Sequence, residues 1–130
     1  MPKTNRELVL ENLEGFDRFD YEFVANGYAS DGVLQFVMRR PLRGPQEILA
    51  FFRKQFAPIT NTRIEVKNVV ESGDLVIVER VDHYEYQGVP VSCPVANFTE
   101  LRDGKITLWR EYFDRQQAAE QVRKGLAEKP

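Results

Sequence analysis

LVIVERVDHY, residues 75–84, is the stretch whose reading decides the fold. Four apolar residues of high β-propensity are followed by charge on both parities, which is a strand pattern and not a helical one. Turn signals bracket it, Ser72-Gly73-Asp74 before and Gln87-Gly88 after, and Asp103-Gly104 supplies the next. These turns fall about fifteen residues apart, so the strands between them run to about 10–12 residues, and strands that long must curve. Pro90 and Pro94 fit an edge or a bulge. From about Thr62 onward the chain therefore reads as an antiparallel meander.

The segments before the meander read as helices. Thr4-Asn5-Arg6-Glu7 fits a capping box, and Val9, Leu13 and Phe16 follow as an apolar stripe that Gly15 is placed to end. A second short helix is expected from near Asp17, carrying Phe19 and Phe23 before Asn26-Gly27. Ser30-Asp31-Gly32 reads as a turn and Val33 to Met38 as a short strand. Gly44-Pro45 opens a third helix with Ile48, Phe52 and Phe56 on its buried face, and Pro58 stops it. Phe19, Phe23, Phe52 and Phe56 are expected in the core, while Arg39, Arg40 and Arg43 flank a turn as solvated side chains. Residues 116–130 carry a weak helix and a charged tail. The expectation is a single α+β domain over residues 1–130, a cone-shaped curved antiparallel sheet with three helices packed in its concave face.

Composition narrows the function. The 130 residues hold 18 basic and 20 acidic side chains, a formal charge of −2, which argues against a nucleic-acid or anionic-membrane protein. No run approaches the about 18 apolar residues that span a bilayer, and residues 1–20 have no signal-peptide core, so a cytoplasmic setting is expected. A single cysteine, Cys93, excludes a disulfide scaffold and a thiolate zinc cluster, and a single histidine, His83, argues against a multi-His metal site. His83 reads as an exposed or cross-strand paired residue, and Cys93 as a small buried hydrophobe. Polar chemistry must come mostly from Asp, Glu, Arg and Tyr. Nine of the fifteen aromatics fall within residues 1–56, enough to wall a dry pocket.

Strand parity groups the candidates. In 75–84 one face collects Val76, Val78, Arg80, Asp82 and Tyr84, and the other Leu75, Ile77, Glu79, Val81 and His83. Both begin apolar and turn polar, so parity alone leaves open which looks inward. In 108–114 one face holds Trp109, Glu111 and Phe113, a carboxylate between two aromatics that needs a compensating cation. Arg80 is the natural one, and Asp82, Arg80 and Glu111 would form two carboxylates bridged by a guanidinium. A surface ion-pair network is the alternative for the same three residues.

Glu79-Arg80-Val81-Asp82, then Asp103-Gly104-Lys105-Ile106 and Trp109-Arg110-Glu111-Tyr112-Phe113-Asp114, resemble the limonene-1,2-epoxide hydrolase family. That family belongs to the nuclear-transport-factor-2-like and SnoaL-like cone folds, and the similarity spans about residues 74–115. The resemblance implies one-step epoxide hydrolysis without a covalent intermediate, metal or cofactor. Asp82 would act as general acid and Glu111 as general base, with Arg80 bridging them and holding them in opposite protonation states. It places Cys93, Val95, Asn97, Tyr84 and Phe113 on the wall of a pocket for a small apolar substrate. Val78 and Trp109 join that lining from the Arg80 and Glu111 faces. A homodimer through the outer sheet face is implied as well. Three positions depart from the family. Glutamate stands at 111 where the family has aspartate, and Leu34 and Phe36 stand where it holds water with a tyrosine and an asparagine, so that these two are expected to extend the apolar pocket lining. An isomerase or cyclase that adds no water, or a non-catalytic protein binding an apolar ligand, are the alternative expectations.

Overall fold

The computed structural model describes residues 2–129. Ten elements follow in order: α1 (Asn5–Asp17), α2 (Tyr21–Asn26), β1 (Tyr28–Phe36), β2 (Leu42–Arg43), α3 (Pro45–Gln55), β3 (Ile59–Ser72), β4 (Leu75–Tyr86), β5 (Val89–Arg102), β6 (Lys105–Tyr112) and α4 (Arg115–Glu128). The result is an α+β fold in which an open, curved six-stranded sheet carries helices.

The capping box forms as its residues dictate. Glu7 N donates to Thr4 Oγ1 and Thr4 N to Glu7 Oε1, both at 3.1 Å. Gly15 does not end α1, which continues to Asp17. A Cβ there would come within 2.8–2.9 Å of Phe23 and Val24, so glycine is what allows α2 to pack closely. The second helix starts later than expected, because Asp20 caps it by accepting from Phe23 N and Phe19 turns at φ 58°. This rotation leaves Phe19 and Phe23 exposed and buries Val24 and Ala25 instead, a correction to the expected core.

Strand β1 also differs from its sequence reading. It begins at Tyr28, absorbs Ser30-Asp31-Gly32 as an irregularity, and ends before Met38, which turns at φ 64°. It pairs antiparallel with β2 and parallel with β6, so only the β3–β6 meander is antiparallel throughout. The sheet order is β2-β1-β6-β5-β4-β3. Gln87-Gly88 and Asp103-Gly104 have positive φ at both residues, the geometry whose twist suits tight hairpins.

Register decides what faces the concave side. One row reads Val76, Thr99, Trp109, Leu34, and the next reads Val78, Asn97, Glu111, Phe36. Arg80 pairs with Val95 and Asp82 with Cys93 further along. The first row packs against Val9 and Leu13 of α1 and Ile48 and Phe52 of α3 in one buried core. Burying each such large apolar side chain stabilises the fold by about 1.5–3 kcal/mol. The cone is thus filled at the Trp109 end, and its buried charged residues begin where the filling stops.

The expected weak helix is a full α4. Strand β5 extends past the end of β6, which leaves backbone groups near Ser92 without a strand partner. Gln121 of α4 supplies one: its Oε1 accepts from Ser92 N at 3.0 Å and its Nε2 donates to Ser92 O at 2.9 Å. No described helix is long and apolar enough to cross a membrane.

Candidate active site

Arg80 is the hub. On the concave face of β4 it is 3% exposed, and a guanidinium that deep must be paired and hydrogen-bonded. Its Nε donates to Asp82 Oδ1 at 2.8 Å and its Nη2 to Asp82 Oδ2 at 3.1 Å. Nη2 also donates to Glu111 Oε1 at 2.7 Å, and Nη1 donates to Asn97 Oδ1. Asn97 is fully buried and passes its own amide proton to Thr99 Oγ1 at 3.0 Å. Burial opposes the charge on Arg80, but Glu111 and Asp82 outweigh it and hold its pKa well above the ordinary guanidinium value. Arg80 is therefore a fixed cation, and the three charged residues do not form a surface network.

Glu111 is anchored through one oxygen. Its Oε1 accepts from Arg80 and from the indole N–H of Trp109 at 3.0 Å. Among the described residues no donor reaches Oε2. Glu111 lines a cavity of about 170 Å³ together with Arg80 and Asp82. Phe36, Tyr84, Cys93, Val95 and Phe113 supply its wall from the sheet side, and Phe16, Tyr21 and Phe56 close it from the helix side. Burial first, then Cys93 and Asp82, pushes the Tyr84 phenol up to about 12, and burial, Asp82 and Glu111 push the Cys93 thiol up to about 11. Both are neutral at ordinary pH.

Four expected lining residues sit elsewhere. Leu34, Val78 and Trp109 lie in the filled end of the cone, each with 2% exposure or less, and Asn97 is behind Arg80. Leu34 and Trp109 are register partners one row deeper than Glu111, which takes both away from the cavity. Trp109 nonetheless belongs to the polar network through its indole N–H. The hydrogen bond from Arg80 to Asn97 joins residues 17 apart and had no sequence signal beyond shared parity. Tyr21, Thr62 and Ile64 also line the cavity, and nothing in their local pattern marks them. His83 is paired across strands, with Nδ1 2.8 Å from Ser92 Oγ and Nε2 2.9 Å from Glu65 Oε1. No group of three His, Cys, Asp or Glu among the described residues is placed to hold a metal.

The sequence pattern of the SnoaL-like domain family matches residues 9–109. The chain belongs to this family. The match takes in Arg80 and Asp82 and stops two residues short of Glu111. Epoxide hydrolase EphG of Mycobacterium tuberculosis is 26% identical to this SnoaL-like protein over 102 residues, covering 78% of the chain and 68% of the relative. An LEH-like epoxide hydrolase structure from M. tuberculosis superposes with a TM-score of 0.80 at 24% identity, covering 95% of this chain and 92% of that one. A protein with a ketosteroid isomerase-like fold from Catenulispora acidiphila, solved with trimethylamine, reaches 0.84 at 20% identity, covering 98% and 100%. A Shewanella denitrificans protein assigned as a SnoaL-like polyketide cyclase also reaches 0.84, at 16% identity, covering 92% and 97%. These structural likenesses establish the cone fold of the SnoaL-like and nuclear-transport-factor-2-like proteins.

Proposed function

We propose that this SnoaL-like protein is an epoxide hydrolase that adds water to a small or medium apolar epoxide in one step. The observation that carries the reading is Glu111. Its Oε1 is tied to Arg80 and Trp109, and no donor among the described residues reaches its Oε2 at the edge of an apolar cavity. A carboxylate held by one oxygen and free at the other is arranged to take a proton from water.

The roles then follow from placement. Protonated Asp82 gives its proton to the epoxide oxygen as the ring C–O bond breaks. Water attacks the carbon, and Glu111 Oε2 takes the proton that water loses. Epoxide plus water gives a diol, and the pair of carboxyls holds one proton before and after. Arg80 touches both carboxyls and stays charged, so it balances whichever is ionised. Ring strain lowers the demand on the nucleophile, so water suffices. The similarity to EphG supports this chemistry. A homodimer through the convex sheet face belongs to the same reading, supported by exposed Val70 and Tyr112 there.

One observation favours a second reading. Phe36 is the β1 register neighbour of Glu111 and brings that carboxylate no hydrogen-bond donor. A wall hydroxyl, that of Tyr84 or Tyr21, neither with a protein partner among the described residues, is left to steady a water. If it does not, the two carboxyls would shuttle a proton in an isomerase or cyclase. Incubation with terpene and aryl epoxides in ¹⁸O-labelled water separates the two. Labelled diol is expected for hydrolysis, and unlabelled rearranged product would assign the site to isomerisation.

A further inference from the structure

The inner cavity is not the end of the apolar path. A wider groove of about 690 Å³ adjoins it between α3, α4, the far end of β4 and the start of β3. Five residues, Phe36, Phe56, Ile59, Tyr84 and Phe113, line both spaces and form the passage between them. The inner cavity alone lies below the roughly 300–1,000 Å³ of sites for drug-sized ligands, and the groove lies inside that range. A molecule entering the cavity therefore has room to trail an apolar chain outward along Phe51, Ala118 and Val122.

The rim of the groove has a definite charge. Arg39 and Arg115 line it with Gln55 and Gln116, and no Asp or Glu does. Neither arginine forms an ion pair among the described residues. The Arg39 guanidinium lies over the Phe51 ring at 5.9 Å, which keeps it against the groove. Arg115 opens α4, where the helix dipole is positive, and the Asp114 cap points its carboxylate at Gln117 N. The inner end has no unpaired cation, since its one guanidinium is already held by two carboxyls.

We propose that Arg39 and Arg115 read a carboxylate, so that the substrate is an apolar chain with its reacting group at one end and an acid at the other. The polarity of the site sets the direction. An acid finds no free cation at the inner end, where Asp82 and Glu111 already occupy Arg80, and is received at the rim by guanidinium forks whose shape fits carboxylate. The proposal rests on the hydrolase reading for the reacting end only, and the groove and its rim stand apart from it.

Calorimetric titration of the intact protein with decanoate and with decanamide tests this without any turnover. Decanoate is expected to bind at least about tenfold more tightly than the amide at low salt, with the advantage shrinking as salt rises. The double variant Arg39→Gln, Arg115→Gln is expected to bind both compounds equally, with amide affinity unchanged, which also shows that the variant is folded. Equal binding of acid and amide by the unmodified protein would overturn the proposal, as would an advantage that survives in the double variant. A dimer that dissociates in the double variant, with no preference for the acid, would assign the rim to a second copy and overturn it too. Failure of epoxide hydrolysis would leave the acid–amide difference intact, so the two claims fail separately.

Discussion

Trp109 donates its indole N–H to Glu111 Oε1 at 3.0 Å from two residues earlier on the same face of β6. The contact ties the filled end of the cone to its reactive end, because Trp109 is itself immobilised against Leu34 and the core. With Arg80 it fixes the direction in which Oε2 points.

Trp109→Phe keeps most of the volume and removes that donor. A hydrogen bond to a charged group is worth about 1.5–3 kcal/mol, so turnover of an epoxide is expected to fall by tenfold or more. A loss of stability alone would move the urea midpoint and leave the rate of the folded fraction unchanged. Steady-state rates at saturating substrate, set beside urea melts, make the distinction.

Arg80→Met removes the cation and leaves two carboxyls facing each other in an apolar cavity. Breaking a buried pair from one side costs about 3–5 kcal/mol. Acidification should shrink the deficit, because protonation removes the unbalanced charge. Urea unfolding of both proteins at neutral and acid pH checks the direction. A deficit that is the same at both would mean that the charge is not what the site needs.

Asn97→Leu strands one N–H of Arg80 and the hydroxyl of Thr99, both buried. The expected destabilisation is about 1–3 kcal/mol, the cost of an unmet buried polar group. Asn97 and Thr99 are register partners of Glu111 and Trp109, so the variant should also perturb activity. Chemical denaturation together with rates reads both effects.

Cys93 gives a pH prediction with a definite sign. Burial raises its thiol from the ordinary value of 9.0 to about 11. The neutral form is the one the fold prefers, so its contribution to stability is present below the unfolded value and disappears as pH climbs through about 11. Only the thiolate reacts, so labelling by a disulfide reagent at pH 8 should be far slower than for a free thiol and should accelerate towards pH 11. A reaction at the free-thiol rate would show that the wall around Cys93 opens.

The meander was legible because its turns carry glycine where positive φ is needed, and because a period of two survives over long strands. The cluster of Arg80, Asp82 and Glu111 was legible for the same reason, since one face of one strand carries two members and the register brings the third. The N-terminal helices were less so. Phe19 and Phe23 fit a helical stripe by spacing, but Asp20 captures the cap and turns that stripe outward. Parity could not rank depth, either. Leu34, Val78 and Trp109 share a face with the site, yet only the packing of α1 and α3 against the sheet decides where the core ends and the cavity begins.

The account depends most on Glu111 as the group that receives a proton. Glu111→Gln preserves shape and keeps an oxygen for Arg80 and Trp109, and it removes the base. Turnover of an epoxide by this variant is therefore the decisive measurement, taken beside the affinity of a non-hydrolysable analogue. The account predicts a rate at least about a hundredfold lower, the usual scale of a general base, with analogue affinity unchanged. A variant that hydrolyses the epoxide at the parent rate would contradict it.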